Sequence, residues 1–286
     1  MNLAENSLFE ALQTTRTLHA RDTHLYKLLE SSCLDFVNNS DFKFESANNV
    51  PFGPFGTLVM PFQKMGAINS LDLFGLDELI LFSFYLANRN RIKKAVDIGA
   101  NLGLHSILMA KLGISVTSYE PDTNHFEWLN SRLELNNVLD KVTPVKAAVS
   151  GENGTAEFIR VEGNTTGSHL AGAKSDPYGE LTKYMVEVKA AEDVFLEADF
   201  AKIDAEGHET VILKAIPASY WGKLEAVVEV GTTKNAEQIY EFFQNLGVNL
   251  FSQKTGWNKV NCLDDVPISY KEGSLFITGQ SEMRWE

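Results

Sequence analysis

The stretch from residue 93 to residue 120 constrains the fold of this chain more than any other, because it combines two strand-like runs with one glycine turn. Residues 94–98 form a short apolar run typical of a buried strand. Residues 104–112 repeat leucine and isoleucine at helical spacing. A second strand-like run, 115–120, follows. Parallel strands need a helical crossover, so the stretch predicts one strand–helix–strand unit of a parallel sheet.

The turn of this unit has the composition of a ligand-binding loop. Gly99 and Gly103 lack side chains, so backbone N–H groups can approach a ligand at the start of the helix. Glu120 ends the second strand, where a carboxylate can accept hydrogen bonds from both hydroxyls of a ribose. A purely structural turn is the alternative. The strand, the glycine turn, the helix and Glu120 all stand where a nucleoside site needs them, so the pattern favours a nucleoside-containing ligand.

Two residues of the turn distinguish between possible nucleoside ligands. A dinucleotide site needs G-x-G-x-x-G, but Asn101 holds the second glycine position and the third glycine is also absent. Asp97 precedes the turn, where a carboxylate would repel a pyrophosphate and attract an ammonium or a sulfonium. The turn therefore favours S-adenosylmethionine as cofactor over NAD.

Composition limits the partners of the chain. Its 286 residues predict one large domain or a domain with an accessory piece, which we divide into an N-terminal accessory segment, 1–70, and a cofactor domain, 71–286. The net charge of −13 argues against a nucleic-acid partner. The longest apolar run, 79–87, is too short for a bilayer, and the first residues lack a signal-peptide pattern. We expect a cytoplasmic protein without membrane contact. The sequence leaves the oligomeric state open.

The second half of the chain predicts further strands and one loop. Strands are predicted at 142–149, 200–204 and 224–230. A polar stretch at 163–169 has no core pattern, so we expect a surface loop in which His169 is solvated, the alternative being that it touches the substrate.

Acidic residues stand at the ends of four predicted strands: Asp97, Glu120, Asp204 and Glu229. Ligands of an open parallel sheet bind beyond the C-terminal ends of its strands, so these carboxylates should surround a cationic ligand. The densest group is DAEGH at 204–208, which can bring two carboxylates and an imidazole to one opening.

Three blocks of the chain together resemble the FkbM family of S-adenosylmethionine-dependent methyltransferases. They are VDIGANLG at 96–103, YEP at 119–121 and KIDAEGHE at 202–209, of which the last is the most specific. The similarity runs from about residue 76 to about residue 246. It implies an α/β fold of the class I methyltransferase, Rossmann-like type, doubly wound and mostly parallel with a last antiparallel strand. It also implies transfer of a methyl group to a hydroxyl oxygen of a small molecule or glycan, commonly a sugar or a secondary metabolite.

The resemblance also implies which residues bind the cofactor. The turn would hold the methionine end of the cofactor, and Glu120 would hold its ribose. Ala147 or Ala148, which follow the beginning of the third strand, would flank its adenine. The implied cofactor-binding residues are Asp97, Gly99, Ala100, Asn101, Gly103, Glu120, Pro121, Ala147, Ala148 and Asp204.

Three residues would face the methyl group and the acceptor: Asp204, Glu206 and His208. An imidazole titrates near neutral pH, so His208 is the candidate base for the acceptor hydroxyl, although it could instead cap the following helix or hold Glu206. We expect no metal here, because nothing else completes a ligand set. An NAD(P)-dependent oxidoreductase and a non-catalytic cofactor-binding protein are the alternative functions.

Overall fold

The computed structural model describes the backbone of residues 3–174 and 179–285. The helices are α1 (Leu3–Thr14), α2 (His24–Asn39), α3 (Leu76–Asn88), α4 (Leu104–Lys111), α5 (Thr123–Leu135), α6 (Ala191–Phe195), α7 (Glu209–Ala215) and α8 (Thr233–Leu246). The strands are β1 (Val50–Pro51), β2 (Thr57–Leu58), β3 (Lys64–Met65), β4 (Ile68–Asn69), β5 (Lys94–Ile98), β6 (Ser115–Tyr119), β7 (Val142–Val145), β8 (Ala148–Ser150), β9 (Gly154–Val161), β10 (His169–Leu170), β11 (Leu181–Ala190), β12 (Phe200–Ile203), β13 (Glu225–Glu229), β14 (Asn249–Ser252), β15 (Asn258–Lys259) and β16 (Ser274–Thr278).

The central sheet has eight strands in the order β15-β14-β16-β13-β12-β5-β6-β7. The pairs from β13 through β12, β5 and β6 to β7 are parallel, and β16 runs antiparallel to both of its neighbours. This is the class I methyltransferase arrangement with a last antiparallel strand, so the predicted fold class is confirmed. The predicted strand–helix–strand unit is β5, α4 and β6.

Both faces of the sheet are buried, which explains why its strands are almost continuously apolar. Ala95 and Phe200 lie in one core cluster with α3 and α4, whereas Val96 and Ile203 lie in a second cluster with α7 and α8. Alternate residues of one strand thus serve opposite cores, as the two-residue period of a strand requires.

The accessory segment, residues 1–70, packs on α3 and shares its core. Phe42 stacks on Phe74 with ring centroids 4.7 Å apart, and Phe52 meets Phe82 edge-on at 6.3 Å. The domain boundary at residue 70 stays a prediction. Within the described ranges, no helix has the length and apolar character needed to cross a membrane.

The predicted third strand, 142–149, is wrong as a single element. The chain leaves the central sheet after β7, makes a tight turn in which the Ala147 N–H donates to the Val145 carbonyl (3.0 Å), and enters a second sheet as β8. This second sheet has the order β10-β9-β11-β8. An apolar run cannot reveal the change of partner, because residues on both sides of the turn are strand formers.

The predicted surface loop at 163–169 is confirmed only in part, because Gly163 is exposed whereas Thr165, Ser168 and His169 are buried. We call residues 163–174 the strap; it contains a 3₁₀ turn at Thr165–Gly167 followed by β10. His169 is only 1% exposed, not solvated. Ser168 is satisfied internally, since its hydroxyl accepts from the Val161 N–H at 3.1 Å and donates to the Thr165 carbonyl at 2.7 Å. Polar composition therefore did not reveal that Thr165, Ser168 and His169 are buried.

Candidate active site

A cavity of about 760 Å³ opens at the C-terminal ends of β5, β6, β12 and β13. This is the edge at which an open parallel sheet binds its ligands. The strap and the start of β8 close other sides of the cavity. The sequence-predicted residues that line it are Gly99, Asn101, Glu120, Pro121, Ala147, Ala148, Asp204, Glu206 and His208.

The glycine turn touches the loop after β12 directly. Gly99 has φ +71°, and a Cβ atom there would lie 1.9 Å from the Asp204 carbonyl oxygen. Only a residue without a side chain permits this approach. The glycine turn at 99–103 and the DAEGHE loop at 204–209 therefore form one continuous wall of the cavity.

Glu120 is fixed by the turn that it faces. It is 5% exposed, and its carboxylate accepts one hydrogen bond from the Asn101 N–H and one from the Asp122 N–H, both at 2.8 Å. Burial raises the pKa of Glu120 to about 8. A carboxylate has about four acceptor positions. Two remain for the hydroxyls of a ligand.

Three predicted cofactor residues do not line the cavity: Asp97, Ala100 and Gly103. Asp97 is fully buried behind the turn, where one carboxylate oxygen accepts from the Ser106 hydroxyl at 2.6 Å and the other has no partner. A Cβ on Gly103 would lie 2.4 Å from the Leu129 side chain, so this glycine is required for packing.

Glu209 organises the loop after β12. Its carboxylate accepts from the backbone N–H groups of Ala205 at 2.9 Å and Gly207 at 3.0 Å, and from the Asn235 amide at 2.8 Å. The loop turns through two left-handed residues, Glu206 (φ +51°) and Gly207 (φ +102°). This turn presents Glu206 and His208 to the cavity.

Carboxylates crowd this end of the sheet. Asp204 pairs with the buried Lys202 at 3.2 Å, and Glu206 pairs with Lys174 of the strap. Burial and the charge of Asp204 raise the pKa of Glu206, and the charge of Asp204 with burial raises the pKa of Glu229 well above its usual range. In the described parts of the chain, no group of three or more His, Cys, Asp or Glu residues is arranged to hold a metal ion.

His208 occupies the N-cap position of α7 but makes no side-chain capping hydrogen bond. Its Nε2 is hydrogen-bonded to the Ser150 hydroxyl at 2.8 Å, so Ser150 orients the ring. Burial lowers the pKa of His208, which favours the neutral imidazole. A neutral imidazole at a cavity wall can accept a proton.

Sequence reasoning missed two residues that connect the strap to the rest of the cavity, His125 and Lys174. His125 binds the Thr165 hydroxyl through Nε2 at 2.8 Å, and Lys174 ties the strap to Glu206. These partners are 40 and 32 residues apart in the chain. No short motif spans such distances, so only the folded chain reveals them.

Comparison with known proteins agrees with this geometry. The family model described as Methyltransferase FkbM domain matches residues 97–250, more than half of the chain. Methyltransferase sdnD of Sordaria araneosa is 25% identical over 199 residues, which cover 57% of this chain and 76% of that protein.

Solved structures are matched at lower identity. A methyltransferase FkbM from Methylobacillus flagellatus shows 15% identity and a TM-score of 0.41; the match covers 65% of this chain but only 43% of that one. An O-methyltransferase from Bacillus cereus in complex with SAH shows 12% identity and a TM-score of 0.37, over 68% of this chain and 78% of that one.

Proposed function

Because the chain belongs to the Methyltransferase FkbM domain family, we propose that it transfers a methyl group from S-adenosylmethionine to a hydroxyl oxygen of a small-molecule or glycan acceptor. One observation carries the proposal. The Gly99 turn, Glu120 and the loop at 204–209 form one wall of a single cavity, so a ribose-binding carboxylate and a candidate base face the same space.

The residues present fit this cofactor. Glu120 keeps acceptor positions for ribose hydroxyls, and the small side chains of Ala147 and Ala148 leave room beside them for a flat base. Asn101, which lines the cavity, has a side-chain oxygen without a hydrogen-bond partner among the described residues. An unpaired acceptor of this kind suits a ligand that carries an ammonium group.

His208 is the proposed base. When bound, the cofactor supplies an electrophilic methyl group; the chain has to hold the acceptor and remove its proton. Holding both reactants supplies most of the rate, and a base contributes roughly a further 10²–10⁴-fold. Asp204 and Glu206 line the same cavity as His208 and are proposed to face the acceptor with it.

The charge of the cavity narrows the acceptor class. Among the described residues that line it, one lysine, Lys174, stands with seven acidic residues: Asp72, Glu78, Glu120, Asp204, Glu206, Glu209 and Glu229. Together with burial, the charge of Asp204 already raises the pKa of Glu206 and of Glu229, so the further negative charge of a phosphate or carboxylate group would be unfavourable here. We therefore propose a neutral or cationic hydroxylated acceptor, such as a sugar or a secondary metabolite, rather than a phosphorylated one.

A screen of hydroxylated metabolites with S-adenosylmethionine tests this function. Appearance of both S-adenosylhomocysteine and a methyl ether is the expected result, with neutral acceptors ahead of their phosphate esters. A protein that binds the cofactor but methylates no hydroxyl in the screen would favour the non-catalytic alternative. Hydride transfer to NAD would favour the oxidoreductase.

A further inference from the structure

His169 is a buried histidine to which the proposed reaction assigns no role. It lies in β10, where it pairs with Ile159 of β9, and it is one of the residues that line the cavity. Only 1% of its surface is exposed. A polar ring so deeply buried beside a ligand cavity requires an explanation.

The proton of this imidazole can be placed. His169 Nδ1 lies 3.0 Å from the Gly167 carbonyl oxygen, and a carbonyl only accepts, so Nδ1 carries the hydrogen. Burial lowers the pKa of His169, with a smaller contribution from the charge of Lys174, so the ring is neutral at physiological pH. Its Nε2 therefore carries a lone pair and can only accept a hydrogen bond.

That nitrogen has no partner. His169 Nε2 is shielded from solvent and accepts no hydrogen bond from any described residue. The two other histidines that line the cavity differ, because the Nε2 atoms of His125 and His208 each have a hydroxyl partner at 2.8 Å. His169 thus holds an unused acceptor in a fixed tautomer.

The surroundings of His169 place it on the acceptor side of the cavity. The Gly167 carbonyl also accepts from Lys174 Nζ at 3.3 Å, and Lys174 pairs with Glu206 beside His208. Lys174 is therefore already engaged and does not serve Nε2. Apolar residues of the same small sheet, Phe158 and Leu170, offer no side-chain donor.

We propose that His169 Nε2 accepts a hydrogen bond from a second hydroxyl of the methyl acceptor, which makes the acceptor a polyol. The inference rests on the proposed function for the identity of the acceptor. His208 would take the proton from the reacting hydroxyl, while His169 would fix the orientation of the molecule through another one. An acceptor with a single hydroxyl leaves Nε2 unpaired and binds less well.

Two substitutions separate this role from a structural one. His169→Asn keeps an amide N–H near the position of Nδ1, and so the bond to Gly167, but removes the acceptor at Nε2. His169→Gln places an amide near the position of Nε2. Melting temperatures and calorimetry with S-adenosylhomocysteine establish that each variant is folded and binds the cofactor product.

The test uses glycerol as a probe polyol with the S-adenosylhomocysteine complex. Nitrogen-15 spectra of the wild-type histidines should show a proton on His169 Nδ1, none on Nε2, and a shift of Nε2 on addition of glycerol. Followed through the His208 and His125 resonances, glycerol affinity should fall about tenfold in His169→Asn and recover in part in His169→Gln, with S-adenosylhomocysteine affinity changed less than about twofold.

Three results would overturn the proposal: a protonated Nε2, an Nε2 resonance indifferent to glycerol, or a His169→Asn variant that loses S-adenosylhomocysteine and not glycerol. The last would make His169 an adenine contact. None of these readings requires turnover. If these tests succeed but the protein methylates no hydroxyl, the proposed reaction is wrong and the polyol contact of His169 still holds.

Discussion

The glycine turn and the strap face the same cavity but are specified in different ways. The side-chain hydrogen bonds that hold the turn to its own strand–helix–strand unit are close in sequence: Asn101 to Glu120 spans 19 residues, and Ser106 to Asp97 spans nine. Contacts of the strap are distant, such as Thr165 to Met65, 100 residues away. A site can therefore be half encoded in a motif and half assembled by tertiary structure.

Gly99→Ala should separate the glycine turn from the DAEGHE loop and have the largest effect. The new Cβ would lie 1.9 Å from the Asp204 carbonyl, which is backbone and cannot turn aside. We expect a loss of about 3 kcal/mol or more in the free energy of unfolding, together with loss of cofactor binding.

Gly113→Ala is the matched control for this substitution. Gly113 also has positive φ (+88°), but a Cβ there would meet nothing within 4 Å. It should lose only about 1 kcal/mol, the cost of a left-handed alanine, and bind cofactor normally. Equal losses in the two variants by urea denaturation would show that contact with Asp204 is unimportant.

His208→Ala tests the residue that joins the DAEGHE loop to β8 through its hydrogen bond with Ser150. If the imidazole is the base, the rate of methyl transfer should fall about 100-fold, which is at the lower end of the rate factor that a general base contributes. Cofactor affinity should change little. Single-turnover rates and melting curves on the same variant measure both. A normal rate in a destabilised protein would leave His208 with a structural role only.

Glu120→Gln tests the electrostatics of the turn. Because burial raises the pKa of Glu120 to about 8, the folded protein holds a proton that the unfolded chain releases near pH 4.5. The wild type should therefore lose stability as pH rises from about 5 to about 8, by at most about 1.4 kcal/mol per pH unit from this group.

The glutamine cannot titrate, so the stability of Glu120→Gln should decline less over the same pH range. Denaturation at three pH values compares the slopes of the two proteins. Parallel slopes would mean that Glu120 is ionised throughout, with no raised pKa.

Lys174→Met should have the smallest effect, although it cuts the link between the strap and the DAEGHE loop. Both partners are about one-third exposed, so the ion pair with Glu206 contributes only about 0.2–1 kcal/mol. Amide exchange within the strap should quicken while that of α4 stays unchanged. Unchanged exchange in the strap would assign its order to its remaining contacts, which include the Ala67 N–H that donates to the Gly163 carbonyl at 2.7 Å and the pairing of β10 with β9.

This contrast explains which parts of the fold and of the site could be predicted from the sequence. The apolar pattern of the sequence predicted β5, α4, β12 and β13, because a strand buried on both faces is almost continuously apolar and a helix packed on a core repeats apolar residues at its own spacing. It also brought Glu120, Asp204 and His208 to one cavity, since C-terminal strand ends converge. It failed at 142–149 and at the strap, where the choice of strand partner and the burial of His169 depend on residues far along the chain.

The central claim is that the cavity beside Gly99 and Glu120 is an S-adenosylmethionine site. Calorimetric titration of the wild-type protein with S-adenosylmethionine, S-adenosylhomocysteine and NAD tests it most directly. We predict saturable binding of the first two at about micromolar concentration or weaker and none of NAD. Binding of NAD, with no heat from either sulfur-containing ligand, would contradict the account.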